Sequence, residues 1–285
     1  MKTVLETLRS GTPWLEKAGV ENARLNMEHL LAKVLGCRRM QLYMDFDRPL
    51  AEEQLAPLRD LLKRRGKGEP LQHLLGTVEF MGGEFVCDAR ALIPRPETEE
   101  LVERILAEHK HEGSTKPADI LDMGTGSGII GLSLAVAFPE ARVVLADISP
   151  DALALALANA ERLGLPAERV EFIQSNLFSA LGGRRFDLIA ANLPYIAAEE
   201  IHELSREVRH DPVLPLDGGP RGTEIIEAFI SALPQYLTLN GFAALEVGAG
   251  QTAALAQDMR RAILRDVVAA DDLSRRDRFL FCRAQ

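Results

Sequence analysis

Apolar residues recur at helical spacing through the first 75 residues of the chain. In residues 21–36 they fall every three or four positions, and Gly36 stands where a helix stop is expected. The same spacing returns over residues 55–62. The cations of Lys63-Arg64-Arg65 follow and suit the negative end of a helix dipole, or they dock an acidic or RNA-associated partner. We therefore predict a small all-helical domain over residues 1–75.

Alternating apolar and polar residues follow this helical region. Residues 77–80 and 84–87 alternate on either side of Met81-Gly82-Gly83, a pattern typical of a β-hairpin with a glycine-containing turn. We assign residues 76–92 to a hairpin linker, which leads into a second domain over residues 93–285.

Two prolines bracket an arginine where the second domain begins, in Ile93-Pro94-Arg95-Pro96-Glu97-Thr98-Glu99. Pro96 and Glu97 suit the first turn of a helix that continues through apolar residues 101–105. A helix start explains the prolines and the glutamates, but it gives no reason for Arg95.

Strands alternate with helices from residue 118 onward. Seven strands are predicted, at residues 120–123, 142–146, 170–173, 186–191, 242–247, 266–270 and 278–283. Helices between the earlier strands indicate a parallel sheet covered on both faces. The last two strands are joined by a short Asp-Leu-Ser-Arg-Arg-Asp link that cannot hold a crossover helix, so we expect them to be antiparallel. The predicted fold class is α/β, with a Rossmann-like, mostly parallel sheet.

Composition narrows the class of protein. The 285 residues, 47% hydrophobic and 26% charged, match an ordinary globular protein with one full-size domain and a smaller one. The longest apolar run, residues 128–138, is too short to cross a bilayer, and no signal-peptide core follows Met1, so we expect a cytoplasmic protein. Three widely separated cysteines predict neither a zinc site nor a disulfide. A net charge of −9 disfavours gripping nucleic acid by phosphate neutralisation.

Three glycines follow the first strand of the predicted sheet. Gly124, Gly126 and Gly128 would let the backbone approach a ligand at the amino end of the next helix. Asp147 ends the following strand, where a carboxylate can accept hydrogen bonds from a ribose diol. A dinucleotide and S-adenosylmethionine both fit this pattern. The position of the glycines favours the methyl donor. A dinucleotide-binding loop has the first glycine of Gly-x-Gly-x-x-Gly at the strand end, whereas here Gly124 is at the strand end and starts Gly-x-Gly-x-Gly.

Asn192-Leu193-Pro194-Tyr195 ends the fourth strand, at the edge where open α/β sheets bind ligands. A simple turn would also explain this asparagine and proline. Beside a methyl donor, the side-chain oxygen of Asn192 and the carbonyl of residue 193 could accept both N–H bonds of a planar amide or amino group. Tyr195 would offer that group a flat face. Catalysis would then rest on positioning, with no metal and no nucleophilic residue.

The chain resembles the class I S-adenosylmethionine-dependent methyltransferases that modify the glutamine of the Gly-Gly-Gln motif in bacterial peptide chain release factors. The resemblance extends over nearly the whole chain, and Ile-Pro-Arg-Pro-Glu-Thr-Glu is its most specific part. The other motifs that carry it are Glu69-Pro70-Leu71-Gln72, Gly76-x-x-Glu79-Phe80, Leu121-Asp122-Met123-Gly124-Thr125-Gly126-Ser127-Gly128, Asp147-Ile148-Ser149-Pro150 and Glu246-Val247-Gly248.

The resemblance implies methyl transfer from S-adenosylmethionine to the N5 amide nitrogen of that glutamine, with S-adenosylhomocysteine as product. It implies that the helical domain binds the release factor, and that the basic residues 63–67 could take part in that contact. The implied donor-binding residues are Gly124, Thr125, Gly126, Ser127, Gly128, Asp147, Asn176, Leu177 and Asn192. The implied target-binding residues are Asn192, Leu193, Pro194 and Tyr195, and all of these except Leu193 are the predicted catalytic residues.

Two positions depart from the family pattern. The family usually has Asn-Pro-Pro-Tyr, with proline where this chain has Leu193, and it has aspartate where this chain has Asn176. Asn-Leu-Pro-Tyr resembles the signature of ribosomal RNA adenine N6-dimethyltransferases. Ribosomal RNA therefore stays open as an alternative substrate. A glutamine of a ribosomal protein stays open as well, and an inactive binding module is a further alternative. The acidic charge and the helical domain argue against direct nucleic-acid binding.

Overall fold

Two compact units make up the part of the chain that the computed structural model describes, residues 2–110, 115–204, 206–210, 212 and 214–285. One unit holds residues 2–78 and 206–210, and the other holds the remaining described residues. The finer division at residues 75 and 92 stays a prediction.

The first unit is helical, as predicted. Its helices are α1 (Val4–Lys17), α2 (Ala23–Leu35), α3 (Glu52–Gly66) and α4 (Leu71–Leu75), with a 3-10 turn at Arg39–Tyr43. Thr3 begins α1 with a capping box, since its hydroxyl accepts from the Glu6 amide and the Glu6 carboxylate accepts from the Thr3 amide. Gly36 ends α2 with a left-handed φ of 62°, at the predicted stop. Apolar faces of the helices enclose a core that includes Leu8, Met27 and Leu30.

The basic run at the end of α3 divides between buried and exposed residues. Arg65 is 3% exposed, donates from Nε to Asn26 Oδ1 at 2.7 Å and pairs with Glu207. Arg64 is exposed and pairs with Glu69 at 2.5 Å. The docking interpretation of residues 63–67 is therefore wrong for Arg65, which supports the fold of its own unit.

A hairpin of β1 (Thr77–Phe80) and β2 (Gly83–Val86) follows, as predicted. Seven further strands form one sheet, β3 (Asp119–Met123), β4 (Arg142–Asp147), β5 (Val170–Gln174), β6 (Phe186–Asn192), β7 (Leu237–Glu246), β8 (Arg265–Asp271) and β9 (Asp277–Arg283). Their spatial order is β5-β4-β3-β6-β7-β9-β8. The first five are mutually parallel, while β9 is antiparallel to both of its neighbours. The predicted fold class and the antiparallel end of the sheet are confirmed.

The described residues of the second unit form five α-helices, α5 (Pro96–Glu108), α6 (Ile129–Ala137), α7 (Pro150–Arg162), α8 (Glu224–Tyr236) and α9 (Thr252–Arg261). Pro96 occupies the first position of α5 and Pro150 that of α7, where the missing proline N–H leaves no hydrogen bond unmade. Over the described ranges, no helix is both long and apolar enough to cross a membrane.

Asn159 of α7 ties the hairpin and the glycine loop to the sheet. This residue is fully buried, and its Oδ1 accepts from the Val86 amide at 2.6 Å. Its Nδ2 donates to the Val86 carbonyl at 3.2 Å and to the Ser127 carbonyl at 2.9 Å. One side chain thus satisfies three backbone groups on two segments.

Asn159→Ala is expected to lower the free energy of unfolding by about 2–4 kcal/mol, because it removes the side-chain partner of one buried and two partly buried backbone groups. Urea denaturation followed by far-UV circular dichroism measures the change. Gln257→Ala, on the exposed side of α9, is the matched control and should stay within about 0.5 kcal/mol of wild type. Equal midpoints for the two variants would contradict the assignment.

Candidate active site

The candidate site lies where the strand order of the sheet reverses. The chain runs from β3 outward through β4 and β5, and then returns to β6 on the other side of β3. The two diverging connections leave a crevice at the carboxyl ends of β3 and β6, the usual ligand site of such sheets. A cavity of about 400 Å³ opens there. Ten predicted site residues line it, Gly124, Thr125, Gly126, Ser127, Asp147, Asn176, Leu177, Asn192, Leu193 and Pro194.

Two predicted site residues are not in the described lining. Gly128 has a φ of 82° and begins α6, and a Cβ there would lie 2.8 Å from Leu132 Cδ1, so its role is in packing. Tyr195 packs against the core, and its carbonyl accepts from Gln251 Nε2 at 2.9 Å. Burial raises the pKa of Tyr195 to about 12, which keeps its hydroxyl protonated at neutral pH.

The glycine loop is held close to the end of β6. Gly124 and Gly126 have φ values of 70° and 55°, in the left-handed region that favours glycine. A Cβ on Gly124 would lie 2.9 Å from Leu193 Cδ2, so a larger residue would displace the leucine or the loop. Leu193 is 5% exposed, and its side chain packs against the glycine loop.

A buried carboxylate fixes the two ends of this loop. Asp122 Oδ2 accepts from the Thr125 hydroxyl at 2.5 Å and from the Gly131 amide at 2.9 Å. Burial raises the pKa of Asp122 to about 6, against the two hydrogen bonds, which lower it. The carboxylate joins the turn after β3 to the first turn of α6.

Asp147 presents its carboxylate to the cavity from the end of β4. Its Oδ2 accepts from the Gly126 amide at 2.8 Å, and its Oδ1 accepts from the Ser149 amide at 2.9 Å. Burial raises the pKa of this carboxyl, while those backbone hydrogen bonds oppose the shift. The Ile148 amide is a third backbone donor to this carboxylate, and the group lines the cavity at the position where a ribose diol is expected.

An apolar wall completes this half of the cavity. Leu177 has a φ of 47°, and its carbonyl accepts from the Ser175 hydroxyl at 2.5 Å. The same hydroxyl accepts from the Ala180 amide at 3.0 Å, which fixes the turn after β5. Ile148 and Leu177 both line the cavity and offer apolar surface to a flat ring, with Asn176 beside them.

The Asn192 side chain is held by residues to which sequence reasoning gave no role. Asn192 Nδ2 donates to Thr98 Oγ1 at 3.2 Å, and Thr98 Oγ1 donates to Glu246 Oε2 at 2.7 Å. Thr98 is in the first turn of α5, and Glu246 pairs with Asn192 across β6 and β7. The two are only 4% and 2% exposed. The Asn192 oxygen, on the opposite edge of the amide, remains available as an acceptor.

The cavity wall also includes segments that the sequence did not assign to the site. The segment before α5 contributes Arg90, Leu92, Ile93, Pro94 and Arg95. The opposite side is formed by Pro212, Leu214, Pro215, Glu224, Ile225 and Ala228. The one available signal was Arg95, which a helix start did not explain. Within the described ranges, no cluster of three or more histidine, cysteine or acidic residues could hold a metal, and a metal-free reaction stays a prediction.

Comparisons with known proteins agree over nearly the full chain. The PrmC N-terminal domain family matches residues 6–76, and the methyltransferase small domain family matches residues 100–209. A solved structure with the same fold is the T. thermophilus 16S rRNA N2 G1207 methyltransferase (RsmC) in complex with AdoMet and guanosine. It has a TM-score of 0.53, is 18% identical, and the match covers 73% of this chain and 50% of that one.

Two curated relatives span both units. The release factor glutamine methyltransferase of Geobacter sulfurreducens is 42% identical, over 97% of this chain and 96% of that protein. The release factor glutamine methyltransferase of Chlorobaculum tepidum is 38% identical, over 99% of this chain and 98% of that protein. Since both alignments include the helical unit as well as the sheet, the chain belongs to the release factor glutamine methyltransferase family.

Proposed function

We propose that this chain transfers a methyl group from S-adenosylmethionine to the N5 amide nitrogen of the glutamine in the Gly-Gly-Gln motif of peptide chain release factors, in the cytoplasm. The observation that carries the proposal is the Asn192 amide, held beside the glycine loop with its oxygen available as an acceptor. The names of the full-length relatives supply the substrate class.

The donor half of the cavity suits S-adenosylmethionine, which supplies an electrophilic methyl group on a positively charged sulfur when bound. The Asp147 carboxylate, held at the cavity wall by backbone amides, suits the ribose hydroxyls as an acceptor. The loop 124–127, with its left-handed glycines, allows close backbone approach. Leu177 and Ile148 would border the adenine, and Asn176 would lie at its edge.

The target half suits a planar primary amide. Asn192 Oδ1 and the Leu193 carbonyl would accept its two N–H bonds, and this would direct the nitrogen lone pair toward the methyl group. Pro194 restricts the backbone of the segment. We assign to Tyr195 the packing face at the border of the site, where its carbonyl is fixed by Gln251.

We assign recognition of the release factor to the helical unit. The exposed cations Lys63 and Lys67 are assigned to that contact, whereas Arg65 is buried and Arg64 is paired with Glu69. Direct nucleic-acid binding is not part of the proposal.

Methylation should appear on the Gly-Gly-Gln glutamine of a release factor. The protein and labelled S-adenosylmethionine are incubated separately with a release factor, ribosomal proteins and ribosomal RNA, and mass spectrometry maps the label. Label on a ribosomal protein or on RNA adenine, with none on the release factor, would replace the proposed substrate. Donor binding without turnover on any of the three would indicate a binding module.

Asn192→Ala is expected to lower kcat by about 100-fold or more, because one of two preorganised acceptors is lost. Donor affinity should stay within several-fold of wild type, since the main task proposed for Asn192 is orientation of the target. Single-turnover methylation and calorimetric titration of the donor separate the two quantities. Unchanged turnover would refute the role, and Gln257→Ala serves as control.

Asp147→Asn is expected to weaken S-adenosylmethionine binding by about tenfold or more, because an amide nitrogen cannot accept from hydroxyls or backbone N–H groups. Calorimetric titration with S-adenosylmethionine and with NADH measures this change and tests the dinucleotide alternative. Tight NADH binding to wild type that Asp147→Asn abolishes would contradict the assignment of the donor.

A further inference from the structure

A chain of hydrogen bonds runs from the Asn192 amide into the protein. Asn192 Nδ2 donates to Thr98 Oγ1 at 3.2 Å, and the Thr98 hydroxyl donates to Glu246 Oε2 at 2.7 Å. The Asn192 amide also interacts directly with the Glu246 carboxylate. A hydroxyl has one hydrogen to donate, and an ionised carboxylate has none. While Glu246 is ionised, Thr98 must donate to it, and its lone pairs can then only accept from Asn192.

The direction of this chain decides which edge of the Asn192 amide faces the cavity. The two edges of an asparagine amide have nearly the same shape but opposite hydrogen-bonding character. A flipped Asn192 would point an NH₂ group at the NH₂ group of the target, and an acceptor would be replaced by a second donor. Shape alone therefore cannot hold the productive orientation, and the partners of Nδ2 must do so.

We propose that Thr98 and Glu246 are positioning residues that hold Asn192 with its oxygen toward the target amide. The proposal rests on the function proposed above and extends it to two residues that do not themselves accept the target. It gives the Thr98 of the Pro-Glu-Thr-Glu stretch a task beyond starting α5, and it explains why a carboxylate lies buried at the end of β7.

Glu246 lies among several charged groups. Burial raises its pKa to about 7, and Glu97 adds to the increase, while Arg278 and the hydrogen bonds from Thr98 and Asn192 oppose it. Tyr195, whose pKa Glu246 raises, and Arg95, which lowers it, belong to the same group of titratable or charged side chains. Once protonated, Glu246 could donate to Thr98, which would free the Thr98 hydrogen for Asn192 Oδ1. Only the ionised form excludes the flipped orientation, so we expect kcat to fall as the pH decreases through about 7.

The first test removes the Thr98 hydroxyl. Thr98→Val keeps the branched shape and should lower kcat by roughly tenfold or more, with KM for the release factor and donor affinity within about threefold. Thr98→Ser restores a hydroxyl and should recover most of kcat. The control is Thr238→Val, at the other end of β7, where a threonine hydroxyl also donates to a carboxylate, that of Asp187, at 2.9 Å. Thermal melting and donor titration measure the folded fraction of each variant.

The second test removes the titration. Glu246→Gln should lower kcat at pH 8 and abolish the decrease in kcat near pH 7, because an amide does not titrate in this range. Ionisations of the donor and of Asp122 are common to both proteins, so the difference between the two pH profiles isolates Glu246. Wild-type kcat in folded Thr98→Val, or the same acid limb in Glu246→Gln, would overturn the proposal.

The outcome for wild type distinguishes this proposal from the proposed function. If wild type and Thr238→Val methylate a release factor while Thr98→Val does not, both stand. If wild type labels a ribosomal protein or RNA instead, the proposed substrate fails. The same variants then test the positioning role on that substrate, because any planar NH₂ group needs the same orientation of Asn192.

Discussion

The parallel pairing of β3 with β6 is the constraint on which the site depends. In its register Met123 lies opposite Ala191, so the next residues along the two strands, Gly124 and Asn192, come together at one edge of the sheet. The connections after the two strands diverge, which opens the crevice between them. The donor loop and the target-binding segment are thus placed by the same backbone hydrogen bonds that hold the centre of the sheet.

Buried carboxylates then fix the loops that this pairing brings together. Asp122 binds both ends of the glycine loop, Asp147 binds its middle, and Glu246 holds the chain of hydrogen bonds that leads to Asn192. Burial raises the pKa of each of the three carboxyl groups because it disfavours the charged form, and hydrogen bonds to that form oppose the increase. The cost of desolvation is partly offset because each carboxylate accepts hydrogen bonds from neighbouring groups, although Asp122 Oδ1 is buried without a partner among the described residues.

Local patterns predicted the fold and about a third of the residues that line the cavity. Hydrophobic period, glycine register and the polar ends of strands are readable over a few residues, and they selected Asp147 and Asn192, which line one cavity. They gave no role to the bond between Thr98 and Glu246, which joins residues 148 positions apart. Burial is equally non-local. The basic helix end was assigned to the helix dipole or to docking of a partner, yet Arg65 is buried, and Tyr195 packs on the core rather than in the described lining.

Leu193 stands where the related motif has proline, and its side chain packs against the glycine loop. It is 5% exposed and lies where a Cβ on Gly124 would otherwise be. A residue in that position affects the spacing between the glycine loop and residues 192–195, whereas the acceptor in the proposed chemistry is its backbone carbonyl. In that proposal the choice between a protein amide and a nucleic-acid base does not depend on the Leu193 side chain, and wall residues such as Arg95 and Leu214 are the candidates for it.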